Sequence, residues 1–174
     1  MQPDYVRVID GDAAALAEFL TGDTWPFHAG PPVDRETVLR RAADGHYAHT
    51  FWAVVDGVRA GLVRLDDLDD DTPIFDLRLA TAYRGHGIGR HAVGWLTRHL
   101  FTAADLPHVN RIEATTRQDN HAMRATLLRC GYVKEAHYRD GWPSADGTMH
   151  DAVGYATLRR DWLTGTVTPV PWGS

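Results

Sequence analysis

The pattern of hydrophobic and polar positions along the chain switches between strand-like and helix-like stretches. Short apolar or alternating runs bounded by turn residues predict seven strands, over residues 5–9, 49–55, 59–65, 74–80, 110–116, 132–138 and 149–157. Apolar residues three or four positions apart predict helices over 13–20, 35–43, 88–100 and 120–130, and a short helical turn over 158–163. This order combines antiparallel hairpins with strand–helix crossovers, so it favours an α/β fold with a mixed sheet.

Turn-forming residues mark the irregular parts of the chain. Residues 25–32 contain three prolines and a glycine, so they cannot form regular structure. Pro107 is predicted to break the connection after the third long helix, and a turn-rich loop is predicted over 140–146. Residues 164–174 contain two prolines and are predicted to form an extended tail after a single domain over 1–163.

Composition limits the class of protein. Apolar residues make up 44% of the 174 residues and charged residues 24%, which is ordinary for one globular domain. Cys130 is the only cysteine, so an intramolecular disulfide and a cysteine-rich zinc site are excluded. No apolar run is long enough to span a membrane, and the N-terminus lacks the pattern of a signal peptide. We therefore expect a cytoplasmic protein without a membrane partner.

Charge and side-chain chemistry remove further classes. The net charge of −5 argues against nucleic acid as a partner, because phosphate-tracking surfaces need clustered Lys and Arg. Only two serines occur, Ser144 and Ser174, and neither lies in a G-x-S-x-G motif, which argues against a serine hydrolase. The ten histidines include no H-x-x-x-H pair, so we expect no metal site. Five aspartates within 66–71 predict a solvated turn, with attraction of a cationic substrate as the alternative.

The clearest chemical signal is a glycine-rich turn between a predicted strand and a predicted helix. In the segment Arg84-Gly85-His86-Gly87-Ile88-Gly89-Arg90, alternate glycines allow positive φ and close approach of the backbone to a ligand. The N–H groups of such a turn and of the helix N-terminus converge on one place, which suits a phosphate group. A Walker A loop is excluded because no lysine is present, and the dinucleotide fingerprint G-x-G-x-x-G fits poorly because it is one residue longer.

Two blocks of the sequence resemble the GNAT superfamily of N-acetyltransferases. The glycine turn resembles its acetyl-CoA-binding motif, [RQ]-x-x-G-x-[GA], with Arg84, Gly87 and Gly89 at the motif positions. Residues 111–120 and 128–135 resemble the RimJ/RimL-like branch, which contains ribosomal-protein N-acetyltransferases. The resemblance covers about residues 59–163 and implies one GNAT domain with a mostly antiparallel sheet, flanked by helices and split between strands 74–80 and 110–116.

The resemblance also implies how acetyl-CoA is bound. In this superfamily the pantetheine arm pairs with the strand that carries the motif, so the backbones of Leu77 and Leu79 are expected to hold it, and Asn120 is expected to contact it. The N–H groups of the turn are expected to hold the pyrophosphate. The residues concerned are Arg84, Gly85, His86, Gly87, Ile88, Gly89 and Arg90.

The implied reaction is direct attack of an amine on the thioester in a ternary complex, which requires a base for the amine and an acid for the thiolate. Leu127 and Met123 stand where the family commonly has a tyrosine and a serine, so the usual general acid is missing. Tyr132 and Tyr138 are candidates by chemistry alone, and buried core tyrosine is the alternative for both.

Two carboxylates are candidate catalytic residues. Asp76 lies inside an apolar strand, so it needs either a partner or a function, and we predict a base or an anchor for the amine. Arg78, two residues on and on the same face, is the structural alternative. Glu113 matches a frequent acidic position of the family and is predicted to act as base or to bind substrate, with a structural Arg partner as the alternative.

Aromatic residues near turns are predicted to line the acceptor pocket. They are Trp25, Phe27 and His28, with Trp142 in a second turn. We therefore predict an acetyl-CoA-dependent N-acetyltransferase that acts on a small or amino-acid-like amine. The alternatives are N-terminal acetylation of a protein, a non-catalytic acyl-CoA-binding module, and a nucleotide-dependent oxidoreductase; a homodimer is possible by family resemblance.

Overall fold

Seven strands form one mixed sheet in the computed structural model, which describes residues 1–106 and 108–172. The strands are β1 (Asp4–Arg7), β2 (Thr50–Val55), β3 (Val58–Asp66), β4 (Ile74–Leu79), β5 (Arg111–Arg117), β6 (Val133–Pro143) and β7 (Met149–Leu158). Their order across the sheet is β1-β2-β3-β4-β5-β7-β6, and every neighbouring pair is antiparallel except β4 and β5. The predicted mixed, mostly antiparallel sheet is confirmed.

Helices cover both faces of the sheet. They are α1 (Ala13–Thr21), α2 (Arg35–Ala43), α3 (Ile88–Thr102), α4 (His121–Arg129) and α5 (Arg159–Thr164). Trp52 and Leu62 are paired across β2 and β3 and pack against α1 and α2. Their neighbours along each strand, Phe51 and Val63, point to the opposite face and pack in the core that α3 and α4 cover.

The N-termini of α2 and α4 are capped by side chains that their sequence supplies. Asp34 accepts a hydrogen bond from the Thr37 N–H at 2.7 Å, and Asn120 accepts one from the Met123 N–H at 3.2 Å. No described helix is both long and apolar enough to cross a bilayer.

The sixth strand is longer than the sequence predicted. The expected loop over 140–146 is wrong for residues 140–143, because β6 continues to Pro143 and the chain turns only from Ser144 onward. The turn residues there produce a bulge instead of a reversal: Asp140 has a φ of 52°, and its N–H donates to Asp151 Oδ1 at 3.0 Å. A Cβ at Gly141 would lie 2.7 Å from the Tyr138 Cβ, so glycine is required for this packing.

The chain after α5 is fixed by one buried carboxylate. Asp161 accepts hydrogen bonds from the N–H and the hydroxyl of Thr168, both at 2.7 Å. The predicted tail is therefore held against the domain at least to this residue. Gly173 and Ser174, at its end, and Pro107, predicted to break a connection, lie outside the described residues.

The two parallel strands at the centre of the sheet separate from each other. Within the described chain, β4 and β5 pair at one position, Ile74 opposite Glu113. Just before it, the Glu113 N–H donates to the Pro73 carbonyl at 3.0 Å, which closes this end of the gap. Beyond it, β4 remains paired with β3 as far as Leu79 and β5 with β7 as far as Arg117. The predicted split is confirmed, and it opens toward the carboxyl ends of both strands.

Candidate active site

The edge of β4 that faces the split carries free backbone groups. Strand backbone groups alternate in direction, and the Pro73 carbonyl points to β5, so those of Leu77 and Leu79 point to the same side. The Leu79 carbonyl accepts a hydrogen bond from Arg84 Nε at 2.8 Å. The N–H of Leu79 and both backbone groups of Leu77 are left for a ligand. This is the position that an extended, amide-containing chain needs in order to pair with a strand.

The glycine turn (residues 84–90) lies at the open end of the split. Gly85 and Gly87 have φ values of 79° and 81°, and a Cβ at either would meet open space. No described hydrogen bond uses the N–H groups of residues 85–89, whereas the N–H of Arg84 donates to the Thr81 carbonyl and that of Arg90 to the Gly87 carbonyl. The 15-residue helix α3 begins at Ile88, so the positive end of its dipole lies beside these free N–H groups. The geometry suits a phosphate or pyrophosphate.

Arg84 fixes the position of the turn. Its Nη2 donates to the Thr24 carbonyl at 2.7 Å in addition to the Nε bond to Leu79. Its guanidinium also lies over the Trp25 ring, 5.6 Å from the ring centroid. The Arg84 side chain thus joins the turn to β4 and to the loop after α1.

That loop, called here the aromatic loop (residues 24–28), lies across the split. On the β4 side, His28 Nε2 is 2.8 Å from Asp76 Oδ1. On the β5 side, Arg117 Nη1 donates to the Pro26 carbonyl at 3.2 Å, and the Arg117 guanidinium lies 5.0 Å from the Phe27 ring centroid. The loop is therefore bonded to both strands that separate.

Arg117 also reaches the hairpin between β6 and β7. The same Nη1 donates to Ser144 Oγ at 3.1 Å, two residues from Trp142. The Trp142 Nε1 is buried and has no hydrogen-bond partner within the described residues. Sequence analysis missed Arg117, because apart from Asp119 its partners lie 91 and 27 residues away and no local spacing indicates them.

Asp76 is the centre of an ion-paired cluster. Besides His28, it accepts a hydrogen bond from Arg78 Nε at 3.0 Å, as the alternative prediction held. Burial raises the pKa of Asp76, but the hydrogen bond and charge of His28, with the charges of Arg78 and Arg64, hold that pKa below its ordinary value. A carboxylate that binds protons so weakly is ionised and is a poor general base.

The other ring nitrogen of His28 has no partner. Because the ionised Asp76 can only accept hydrogen bonds, His28 donates to it from Nε2, and in the neutral form of the ring Nδ1 then carries the lone pair. Nδ1 is buried and makes no hydrogen bond within the described residues. Trp25 packs edge-on against the same ring, with centroids 6.1 Å apart. An unpaired buried ring nitrogen of this kind calls for a ligand, an ordered water or a catalytic function.

Glu113 lies at the closed end of the split. Arg111 Nε donates to Glu113 Oε1 at 2.7 Å, and Arg111 Nη2 is 2.6 Å from Glu135 Oε2. The side chain of Glu113 remains 42% exposed. The structural partner predicted as the alternative for Glu113 is therefore present, and the carboxylate still reaches solvent.

The positions where the family commonly has hydroxyl groups are apolar here. Leu127 is fully buried in the core, and Met123 packs against that core. Tyr132 is buried and its hydroxyl is 2.9 Å from Thr97 Oγ1, and burial raises the pKa of Tyr132 far above its ordinary value. Tyr138 is 55% exposed on β6. Tyr132 therefore matches the predicted alternative of a core tyrosine, and Tyr138 does not.

Two other predicted site features have clear structural roles. Asn120 uses its amide oxygen to cap α4 and donates from Nδ2 to Thr116 Oγ1 at 3.0 Å. In the aspartate run 66–71, Asp71 Oδ2 accepts from Asn110 Nδ2 at 2.8 Å, and the Asp71 carbonyl accepts the Asn110 N–H. The end of this run thus joins the β3–β4 connection to the start of β5, at the closed end of the split.

Comparison with known proteins agrees with this geometry. Residues 5–133 match the family model described as Acetyltransferase (GNAT) domain. The Bacillus subtilis (strain 168) protein named "Putative ribosomal N-acetyltransferase YdaF" is 30% identical over 168 residues, which cover 87% of this chain and 88% of the relative.

Solved structures share the fold at lower identity. A Vibrio cholerae spermidine N-acetyltransferase, solved with CoA and spermine, has a TM-score of 0.80 at 16% identity and covers 93% of this chain and 98% of its own. A ribosomal L7/L12 alpha-N-protein acetyltransferase, RimL, solved with coenzyme A, has a TM-score of 0.78 at 16% identity, with coverages of 91% and 94%.

The chain belongs to the GNAT acetyltransferase family and is an N-acetyltransferase that uses acetyl-CoA. The relative named above agrees with the RimJ/RimL-like branch indicated by the sequence. The free N–H groups of residues 85–89 and the free edge of β4 fit the pyrophosphate and the amide-containing arm of this cofactor. The family assignment also excludes the alternative of a nucleotide-dependent oxidoreductase.

Proposed function

We propose that this acetyltransferase acetylates the primary amine of a small molecule, by direct attack in a ternary complex. The observation that carries the proposal is the aromatic loop bonded to both sides of the split, through His28 to Asp76 and through Pro26 to Arg117. A peptide acceptor needs an open groove along the sheet, whereas a loop tied across the split favours a short acceptor. Trp25, Phe27, His28 and Trp142 are the proposed walls of this pocket.

Cofactor binding is assigned to backbone groups. Acetyl-CoA supplies the acetyl group as an activated thioester. The glycine turn binds its phosphates through the N–H groups of residues 85–89, and Leu77 and Leu79 pair with its arm. Arg84 holds the turn against β4, and Arg90 and His86 add exposed polar side chains at its rim. Asn120 contributes by fixing the start of α4 beside the split.

We assign to His28 the removal of a proton from the acceptor ammonium. An alkyl amine is mostly protonated near neutral pH, so it needs a base before it can attack. Nδ1 of His28 has the lone pair required, and Asp76 holds the imidazole in the tautomer that leaves it free. Asp76 acts as the positioning residue, and Arg78 keeps it ionised.

Glu113 is the second candidate for substrate contact. It is more exposed than Asp76, and Arg111 holds it at the closed end of the split. We assign it to binding of the acceptor ammonium. No hydroxyl stands at position 127, so the departing thiolate takes its proton from solvent.

A second candidate function has its own support. The relative that is 30% identical carries a ribosomal N-acetyltransferase name, which favours a protein N-terminus as acceptor. This alternative needs the aromatic loop to move away from Arg117, because a peptide cannot pass through the Pro26 and Phe27 contacts.

The test is release of CoA from acetyl-CoA with a panel of small primary amines and a matched panel of peptides with free N-termini. The proposal predicts turnover with small amines and little with peptides. Turnover confined to peptides would support the protein-acceptor alternative. Absence of turnover with both, despite acetyl-CoA binding, would indicate a non-catalytic binding module.

A further inference from the structure

We infer that the acceptor carries a carboxylate in addition to its amine, and that this carboxylate binds an arginine-lined cavity beside Asp76. The inference rests on the proposed function, because it names the chemical class of the acceptor at the same site. The cavity has a volume of about 30 Å³, enough for a small group and not for a whole ligand.

The cavity lies between the α1–α2 layer and the sheet. Its walls come from α1, the loop after it, α2 and strands β3 and β4. The lining residues are Leu20, Val33, Arg41, Tyr47, Leu62, Arg64, Asp76 and Arg78. Asp76 therefore faces the cavity and also holds His28, so the cavity and the proposed base are joined through one side chain.

The polar lining is rich in donors and poor in acceptors. Arg41 makes no side-chain hydrogen bond within the described residues, and Arg78 uses only Nε, toward Asp76. Arg64 is bonded to Asp66 through Nε and to His46 through Nη1, which leaves Nη2 free. A guanidinium has donors and no acceptor, so these unused N–H groups match a ligand that only accepts hydrogen bonds. A carboxylate is such a ligand, and arginine is its usual partner.

Charge around the site disfavours a polycation such as spermidine. The carboxylates of β4, β5, β6 and the turn after β5 at this site have basic partners: Asp76 has Arg78 and His28, Glu113 and Glu135 share Arg111, and Asp119 has Arg117. Asp71, at the closed end of the split, is bonded to Asn110 instead. Asp66 pairs with Arg64, which leaves the positive charge of Arg41 uncompensated at the cavity. An amine that also bears a carboxylate complements this arrangement, because Glu113 would bind its ammonium group and Arg41 its carboxylate.

The experiment compares amino acids with their carboxamides as acceptors, using kcat/KM from CoA release. One charge-assisted interaction predicts a preference of about 10-fold to 100-fold for the carboxylate in the wild-type enzyme. In Arg41→Gln this preference falls toward one, and in Arg41→Glu it reverses, while turnover of the carboxamides is retained. Arg41 is exposed, so both variants should fold. Arg40→Gln, the neighbouring exposed arginine outside the cavity, is the control and keeps the preference.

Equal kcat/KM for the carboxylate and carboxamide forms, a preference for spermidine, or an unchanged preference in Arg41→Gln would overturn the inference. If no acceptor is acetylated, the proposed function fails and the cavity is tested by calorimetry with CoA present. Binding of an amino acid that exceeds binding of its carboxamide, and that weakens in Arg41→Gln, would support the cavity alone. Equal binding of the two would refute it.

Discussion

At the scale of single residues, the chemistry of the candidate site depends on which partners the fold supplies. The sequence offered Arg78 as the alternative partner of Asp76 and a nearby arginine as that of Glu113. In the structure Arg78 and Arg111 fill these places, each two residues away on the same strand face. The sequence placed His28 in the pocket but gave it no proton-transfer role, since Asp76 lies 48 residues away. It also predicted Asp76 as a base or an anchor for the amine, whereas its contacts with His28 and Arg78 support the positioning role proposed above.

His28→Gln tests the proposed base. The glutamine amide can still donate to Asp76, but it has no basic nitrogen, so kcat should fall by about 10²-fold to 10⁴-fold. The loss should shrink as pH rises toward the amine pKa, and it should be smaller for acceptors whose amines have low pKa values. Steady-state kinetics across pH with two such acceptors measure both effects. His49→Gln, an exposed histidine outside the site, should leave kcat unchanged. An equal loss for all acceptors at every pH would instead indicate a structural role for His28.

Asp76→Asn tests the ion-paired cluster through stability. Because the folded-state pKa of Asp76 lies below its ordinary value of 3.8, its contribution is complete above that value and is lost as pH falls through the folded pKa. The free energy of unfolding should drop by about 2–4 kcal/mol near neutral pH, with less difference between variant and wild type in acid. Urea unfolding at several pH values measures it.

The control for this measurement is Asp69→Asn, at an exposed aspartate in the run 66–71, which should change stability little at any pH. The same Asp76→Asn enzyme should bind acetyl-CoA normally and turn over at least about tenfold more slowly. A pH-independent stability difference, or unchanged turnover, would remove Asp76 from the proposed role.

At the scale of elements, the hydrophobic pattern was sufficient for the order of strands and helices, because each element buries one regular face. It failed at β6, where Asp140 and Gly141 are typical turn residues but form a bulge that Asp151 stabilises from the next strand. The split between β4 and β5 was predicted from family resemblance, because no local pattern reports where two strands stop pairing. The position of the aromatic loop depends on its contacts with Arg84 and Arg117. The hydrophobic pattern could not predict it either, because these contacts join residues 60 and 91 positions apart.

Gly87→Val tests the glycine turn. A β-branched side chain at a φ of 81° strains the backbone and displaces the N–H groups beside it, so acetyl-CoA affinity should fall at least about tenfold. Gly45→Val is matched to it: Gly45 has a φ of 76°, a Cβ there also meets open space, and it follows α2, away from the turn. Calorimetry should show lost affinity only in Gly87→Val. Retained affinity would mean that the phosphates bind elsewhere.

At the scale of the whole molecule, each of the two helical layers supplies a different part of the candidate site. The α3–α4 layer supplies the glycine turn and the buried core, and the α1–α2 layer supplies the aromatic loop and the arginine-lined cavity. Both meet at the split, which is the only gap in an otherwise continuous described sheet. In the proposed function, cofactor and acceptor would therefore approach from different layers, which suits direct transfer in a ternary complex.

Binding of the cofactor to this gap should stabilise the whole domain. At a ligand concentration about 100 times Kd, mass action adds roughly 2.7 kcal/mol to the free energy of unfolding. For a domain of this size, that corresponds to a rise in Tm of about 5–11 °C. A melting curve with acetyl-CoA, with NAD as the control, measures it. A rise with acetyl-CoA alone, and its loss in Gly87→Val but not in Gly45→Val, would link the stabilisation to the glycine turn. A rise in both variants would instead mean that acetyl-CoA stabilises the domain without using the N–H groups of residues 85–89.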